Sequence, residues 1–356
     1  MVMCSLQQGA PALSGNSCSP RESGHSSLAR GNARRYAISA TPSRIREQSV
    51  RGVLLVLVLF GCMWRTCPAQ FLYYTETDFV DGFIGRVRVD GSGRETLAST
   101  TSGIRGIDIA LHMGYLYWSD TDTGSLLRAP LDDVGGAQTV VAGLGFPSDI
   151  AIDEPRNLMA WSDQANESVG VAALDGSGLR ELVSGVVTTS IAVDATASVV
   201  YFDDRASVSQ GAIRRVSFDG TGLETVIDDI PSATSMAVDP IHRYVYWGSS
   251  AGFDNTGGVY RVRFDGTGFE EIFKSSIPLR DATSVTLDLE QGFVYFALDE
   301  IGDRQDLYRI ALDGANPTLL ASDFAIIPDM TILVPAPASV VTLALGAVLT
   351  GRRHRM

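Results

Sequence analysis

The chain has 356 residues, 45% of them hydrophobic and 19% charged, with 36 glycines and a formal net charge of −13. Such a composition can bury a core and argues against disorder as the main state. Residues 1–69 carry eight Arg against two acids and residues 334–356 three Arg against none, so the segment 70–333 alone holds −22, which excludes the electrostatic footprint of a nucleic-acid binder.

Residues 1–49 are polar and rich in Arg and Ser, and translation is expected to start near Val50. From Arg44 to Gln70 a basic flank precedes an apolar run, Val53 to Trp64. That run is too short for a stable bilayer span and fits the h-region of a signal peptide. Cleavage is expected after Ala69; lipoprotein processing at Cys62, behind Leu59-Phe60-Gly61, is the alternative. All four cysteines, Cys4, Cys18, Cys62 and Cys67, precede residue 70, so the body carries neither disulfides nor thiolate metal sites. The expected division is 1–69 extension and signal peptide, 70–333 folded body, 334–356 tail.

The body repeats. An aromatic pair or its remnant recurs at Tyr73-Tyr74, Tyr117-Trp118, Ala160-Trp161, Tyr201-Phe202, Tyr246-Trp247 and Tyr295-Phe296, with steps of 44, 43, 41, 45 and 49 residues. Such a period belongs to a propeller blade of four short strands. After most of these pairs comes an alternating stretch ending in Asp-Gly, at Asp90-Gly91, Asp175-Gly176, Asp219-Gly220, Asp265-Gly266 and Asp313-Gly314, which is hairpin chemistry. The second copy departs, with Asp132-Asp133-Val134-Gly135-Gly136, and a longer turn is expected there. Before the aromatic pair runs a strand of apolar and small residues, as in Ile150-Ala151-Ile152-Asp153 and Met236-Ala237-Val238-Asp239. No such strand precedes Tyr73, and the missing copy stands at Asp329-Met330-Thr331-Ile332-Leu333. The prediction is an all-β fold, a six-bladed β-propeller of four-stranded antiparallel blades, its ring closed by a C-terminal strand in the first blade. Closure removes exposed sheet edges and ties the last blade to the first.

This pattern resembles the YWTD (class B) repeats of the low-density lipoprotein receptor family over roughly residues 71–333. The resemblance implies a six-bladed propeller that binds protein partners. It also implies that Tyr117, Tyr201, Tyr246 and Tyr295, with Trp118, Trp161 and Trp247, pack within and between blades, and that Asp120 and Asp163 bond backbone groups. The tetrapeptide is degenerate here, and the EGF-like modules of those receptors have no counterpart.

In a propeller the connections between second and third strands and those between blades share one face, called upper below, and recognition is expected there. Arg105, Phe146, Arg280, Asp122, Asp254 and Asp303 are the candidate binding residues; no catalytic residue or metal ligand is assigned. Asp120-Thr121-Asp122-Thr123-Gly124 resembles the start of a calcium loop, but Leu131 stands where the twelfth-position Glu belongs. No cofactor is therefore expected, with calcium the one ion kept open. The functional reading is an exported cell-surface module that binds or scaffolds a protein or an extracellular polysaccharide. The competing reading is a metal-dependent propeller hydrolase or lactonase, which the fold alone does not exclude. Its histidines would be His112 and His242, both placed at turns on the opposite face.

The chain ends in VPAPASVVTLALGAVLTGRRHRM. A short proline motif, an apolar segment from Ala338 to Gly351 and the cluster Arg352, Arg353, His354 and Arg355 form a tripartite tail that resembles the PEP-CTERM sorting signal, with Ala336 where Glu is usual. The apolar segment can enter a membrane while the arginines stay cytoplasmic. The implied partners are the membrane and an exosortase-like sorting enzyme, and the implied location is the surface of a Gram-negative cell.

Overall fold

A computed structural model describes residues 70–333, apart from 79, 102, 208–209, 250–256, 277–279 and 301–303. The expected signal peptide and the expected sorting tail lie outside the described residues. Among the latter, twenty-four strands form six four-stranded antiparallel sheets, joined by turns and a single 3-10 turn at Glu154–Arg156. This is the expected six-bladed propeller.

Each blade runs inner, second, third and outer strand from axis to rim. The inner strands are Met330–Leu333 in blade 1, then Ile104–Ala110, Pro147–Asp153, Ile191–Asp194, Ala233–Asp239 and Ala282–Asp288 in blades 2 to 6. Their register against the second strands is uniform: Met330, Ile107, Ile150, Ile191, Met236 and Val285 stand opposite Tyr74, Trp118, Trp161, Phe202, Trp247 and Phe296. The ring closes as predicted, since Met330–Leu333 pairs antiparallel with Phe71–Thr77, Tyr74 opposite Met330 and Phe71 opposite Leu333. Glu76 reinforces this seam, accepting from Arg94 at 2.6 Å and from the Ala325 amide at 2.7 Å.

The Asp-Gly turns form where expected. In each, glycine takes a positive φ of 79 to 88°, a conformation that costs other residues strain. The Asp carboxylate accepts from the amide two residues on, as Asp219 does from Thr221 at 2.9 Å. Blade 2 carries the longer turn, and Val134 within it is buried. The core is not one mass: six apolar clusters fill the wedges of the ring. The tyrosines and tryptophans named for packing are all buried in these wedges.

One register feature was not foreseen. In five blades a second-strand Tyr stands directly opposite a third-strand Arg: Tyr73 and Arg86, Tyr117 and Arg128, Tyr201 and Arg215, Tyr246 and Arg261, Tyr295 and Arg309. Arg128, Arg215 and Arg261 each reach the next blade, donating to the carbonyls of Leu174 at 3.2 Å, Phe264 at 3.0 Å and Leu312 at 2.7 Å. A sheet packed beside another leaves such terminal carbonyls without a ladder partner, and the guanidinium supplies the donor.

Candidate functional site

The upper face is held in shape by carboxylates. Asp120 accepts from the amides of Asp122 and Thr123, Asp163 from those of Gly145 and Phe146, and Asp203 from those of Thr189 and Ser190. These bonds fix the loops from below, and all three carboxylates are buried. Asp203 takes the role one residue earlier in its repeat than Asp120 and Asp163 do.

Among the predicted site residues, Arg105 is half-buried near the start of the blade 2 inner strand, and burial lowers its pKa while the charge of Asp122 opposes that shift. Asp122 itself is exposed, and Phe146 is half-buried with its amide donating to Asp163 at 2.8 Å. Arg280 is only 9% exposed, and its carbonyl accepts from the Gly257 amide at 2.9 Å. Asp254 and Asp303 lie outside the described residues. The lower face carries both body histidines, His112 against Glu154 at 2.9 Å and His242 against Asp239 at 2.7 Å. Among the described residues no group of three or more His, Cys, Asp or Glu is arranged to hold a metal ion.

Sequence reasoning missed the acids that line the axial channel. The inner strands enclose a cavity of ≈ 140 Å³ whose lining includes three carboxylates, Asp108, Asp149 and Asp329. An inner strand is a sheet edge, so its outward amides lack in-sheet partners. The carboxylates supply acceptors from blade to blade. Asp329 takes the Ile107 amide at 3.0 Å, Asp108 the Ile152 amide at 2.8 Å, and Asp149 the Ile191 amide at 2.8 Å. Ser235 does the same for Val285 at 3.1 Å. Gly106 is required by this packing, because a Cβ there would lie 2.5 Å from Cα and Oδ1 of Asp149. Removal from water pushes Asp108 up to about 6 and Asp329 up to about 7. Asp149 is raised well above its ordinary value, by burial first and then by the charge of Asp329. The sequence signal was available in retrospect: Asp or Ser stands immediately before the apolar inner-strand residue in five of six repeats.

With this geometry in view, the chain can be compared with known proteins. No protein-family model matches the chain. It is 26% identical over 219 residues to low-density lipoprotein receptor-related protein 1 of Pyricularia oryzae, covering 51% of this chain and 71% of that protein. It is 24% identical over 140 residues to the human low-density lipoprotein receptor-related protein 5-like protein, covering 38% of this chain and 55% of that one. Mouse nidogen-2 shares 31% over 106 residues, 28% of this chain and 8% of nidogen-2. Among solved structures, a nidogen/laminin complex contains a chain that superposes with a TM-score of 0.62 at 18% identity, over 74% of this chain and 98% of that one. TolB from Acinetobacter baumannii gives 0.60 at 12%, over 81% and 74%, a likeness of fold alone. Repeat, fold and relatives together support a YWTD-type β-propeller.

Proposed function

We propose that this chain is an exported propeller whose upper face binds a protein partner, at the surface of a Gram-negative cell to which the C-terminal tail tethers it. The single observation that carries the reading is the upper face itself: three of its loops are pinned by the buried carboxylates of Asp120, Asp163 and Asp203, and in this reading Arg105, Phe146 and Asp122 meet the ligand. Two relatives bear the names of receptor-related proteins, and a structural neighbour was solved in a nidogen/laminin complex. The signal segment and tail support export and anchoring by sequence. Asp254 and Asp303, which lie outside the described residues, are further candidate contacts in this reading, and an exosortase-like enzyme would process the tail. The hydrolase reading gains nothing from His112 and His242, which face away on the lower side and are engaged by Glu154 and Asp239.

The test is capture from cell envelopes by the exported full chain, repeated with the Arg105→Glu/Phe146→Ala double variant, alongside a glycan array. A retained protein that the double variant no longer holds is the expected result. Capture that ignores both substitutions, or binding to polysaccharide alone, would overturn it.

A further inference from the structure

The six residues immediately ahead of the uniform inner-strand register occupy equivalent positions around the propeller axis, and two of them, Asp149 and Asp329, line the axial cavity. In blade order they are Asp329, Gly106, Asp149, Ser190, Ser235 and Ser284. Asp149, Ser235 and Ser284 stand opposite the equivalent second-strand residues Ser162, Gly248 and Ala297. The Ser190 carbonyl accepts from the equivalent Asp203 amide. Position by position, the ring therefore holds two carboxylates, three hydroxyls and one gap.

Asp329 reaches across the axis. One oxygen takes the Ile107 amide of blade 2 at 3.0 Å and the other takes the Ser235 hydroxyl of blade 5 at 3.2 Å. Asp149 and Asp329 are 6% and 9% exposed, and among the described residues no Arg, Lys or His pairs with either. A second observation is independent of the acids. Ser190 and Ser284 are wholly buried, and the Oγ of each has no hydrogen-bond partner. Their counterpart Ser235 turns its Oγ to the Asp329 carboxylate and the Val285 amide, and Ser190 and Ser284 hold the equivalent register positions in their own blades. Buried hydroxyls are seldom left unsatisfied, and buried carboxylates seldom without a counter-charge.

We propose that this ring binds one hard divalent cation, calcium in the first instance, through the carboxylates of Asp149 and Asp329 and the hydroxyls of Ser190, Ser235 and Ser284. An all-oxygen set mixing two carboxylates with neutral donors suits calcium, which accepts six to eight oxygens in flexible geometry, whereas zinc favours nitrogen and sulfur. The ion would offset two like charges and give both orphan hydroxyls a partner. It would also join blades 1, 3, 4, 5 and 6 at the axis, including the segment that closes the ring. Its role is structural and independent of the upper-face ligand.

The test uses the full chain, freed of metal by chelator and dialysed. Calorimetric titration with calcium chloride alone should show one site per chain. A hundredfold excess over Kd should raise the melting midpoint by roughly 5 °C or more, and magnesium should do less. The Ser190→Ala/Ser284→Ala double variant leaves both carboxylates in place. In chelator it should melt no lower than the parent, because it removes two unsatisfied groups, and it should lose most of the calcium-induced rise. Asp122→Asn, in the upper-face loop, should keep the rise. Absence of both heat and melting shift in the parent chain would overturn the proposal, leaving the ring to protons and water. A calcium-induced rise that persists in the double serine variant, or vanishes in Asp122→Asn, would overturn it too, by placing the ion elsewhere. Should the double variant not fold, Ser284→Ala alone carries the comparison and the parent titration still decides.

Discussion

Between blades 5 and 6, Tyr246, Arg261 and Glu270 stand side by side across the second, third and outer strands of blade 5. Between blades 3 and 4 the same three positions are Ala160, Val171 and Arg180. Both seams must satisfy one carbonyl at the start of the next blade's lower turn, Leu312 in one case and Phe218 in the other. Arg261 does it from the third strand while paired with Glu270 at 2.6 Å. In blade 3 the arginine has moved one strand outward, and Arg180 donates to the Phe218 carbonyl from the outer strand. The space vacated by Tyr and Arg is filled by an apolar wedge of Ala160, Val171, Phe202 and Phe218. The acceptor is what the fold keeps; the strand that supplies the donor can change if packing absorbs the volume. At the axis the two seams differ again, with a carboxylate, Asp149, holding Ile191 in one and a hydroxyl, Ser235, holding Val285 in the other.

The hardest way to break the comparison is through the apolar wedge. Phe202 is fully buried, and Phe202→Ala should cost about 3–5 kcal/mol in urea unfolding, the loss expected for a large core side chain. If that seam depended on its hydrogen bond instead, the substitution would cost no more than removing Arg180.

The axial difference gives the next effect, read in pH. Asp329, Asp149 and Asp108 have folded-state pKa values above their unfolded ones, so the folded state binds protons more tightly. The contribution of Asp108 and Asp329 to stability is complete below about pH 4 and is lost as pH rises through about 6 to 7, and that of Asp149 has the same sign. In chelator, the chain should therefore be more stable at pH 5 than at pH 8, by an amount on the order of 3 kcal/mol. Asp90, Asp175, Asp219 and Asp265, held below the usual range by their turn hydroxyls and amides, stay ionised across this window and do not offset it. Amide exchange sharpens the point: Ile191, on its carboxylate, should lose protection at pH 8 relative to Val285, on its hydroxyl, once intrinsic rates are normalised. Equal loss at both amides, or no gain in stability at pH 5, would remove the distinction.

How much of this could be read from the chain follows from what repeats. Blade number, turn positions and the closing strand at Met330–Leu333 were legible because a period of just over forty residues repeats its aromatic pairs and Asp-Gly turns. Ala160 was visible as a remnant of the Tyr position. Arg180 was not visible as its compensation, because that relation exists only across two strand registers. Asp108, Asp149 and Asp329 hid for a similar reason: an acid in an inner strand looks like any loop acid until the neighbouring blade presents its unpaired amide. Of the six predicted upper-face residues, the structure brings Arg105, Asp122 and Phe146 to the described surface. Arg280 is covered by packing that a single sequence does not reveal.

The smallest effects separate the two donors themselves. Arg261 is largely buried along its side chain at 15% exposure, and Arg261→Ala removes a charge-assisted bond to Leu312 while leaving Glu270 without its partner. The expected cost is about 2 kcal/mol. Arg180 is exposed, so water can replace it at the Phe218 carbonyl, and Arg180→Ala should cost about 1 kcal/mol. The order matters more than either value. The apolar seam tolerates loss of its donor because Phe202 and Phe218 still exclude water from the wedge. In the polar seam, the Arg261 guanidinium is also the Tyr246 hydroxyl's neighbour, at 3.4 Å, so its removal leaves two buried groups to find water. A double-mutant cycle of Arg261→Ala with Tyr246→Phe should then show coupling of several tenths of a kcal/mol. Arg180→Ala with Phe202→Ala should be additive within error. Coupling in both pairs, or a larger loss at Arg180 than at Arg261, would mean that the outward move of the arginine did not relieve the seam of its dependence on one side chain.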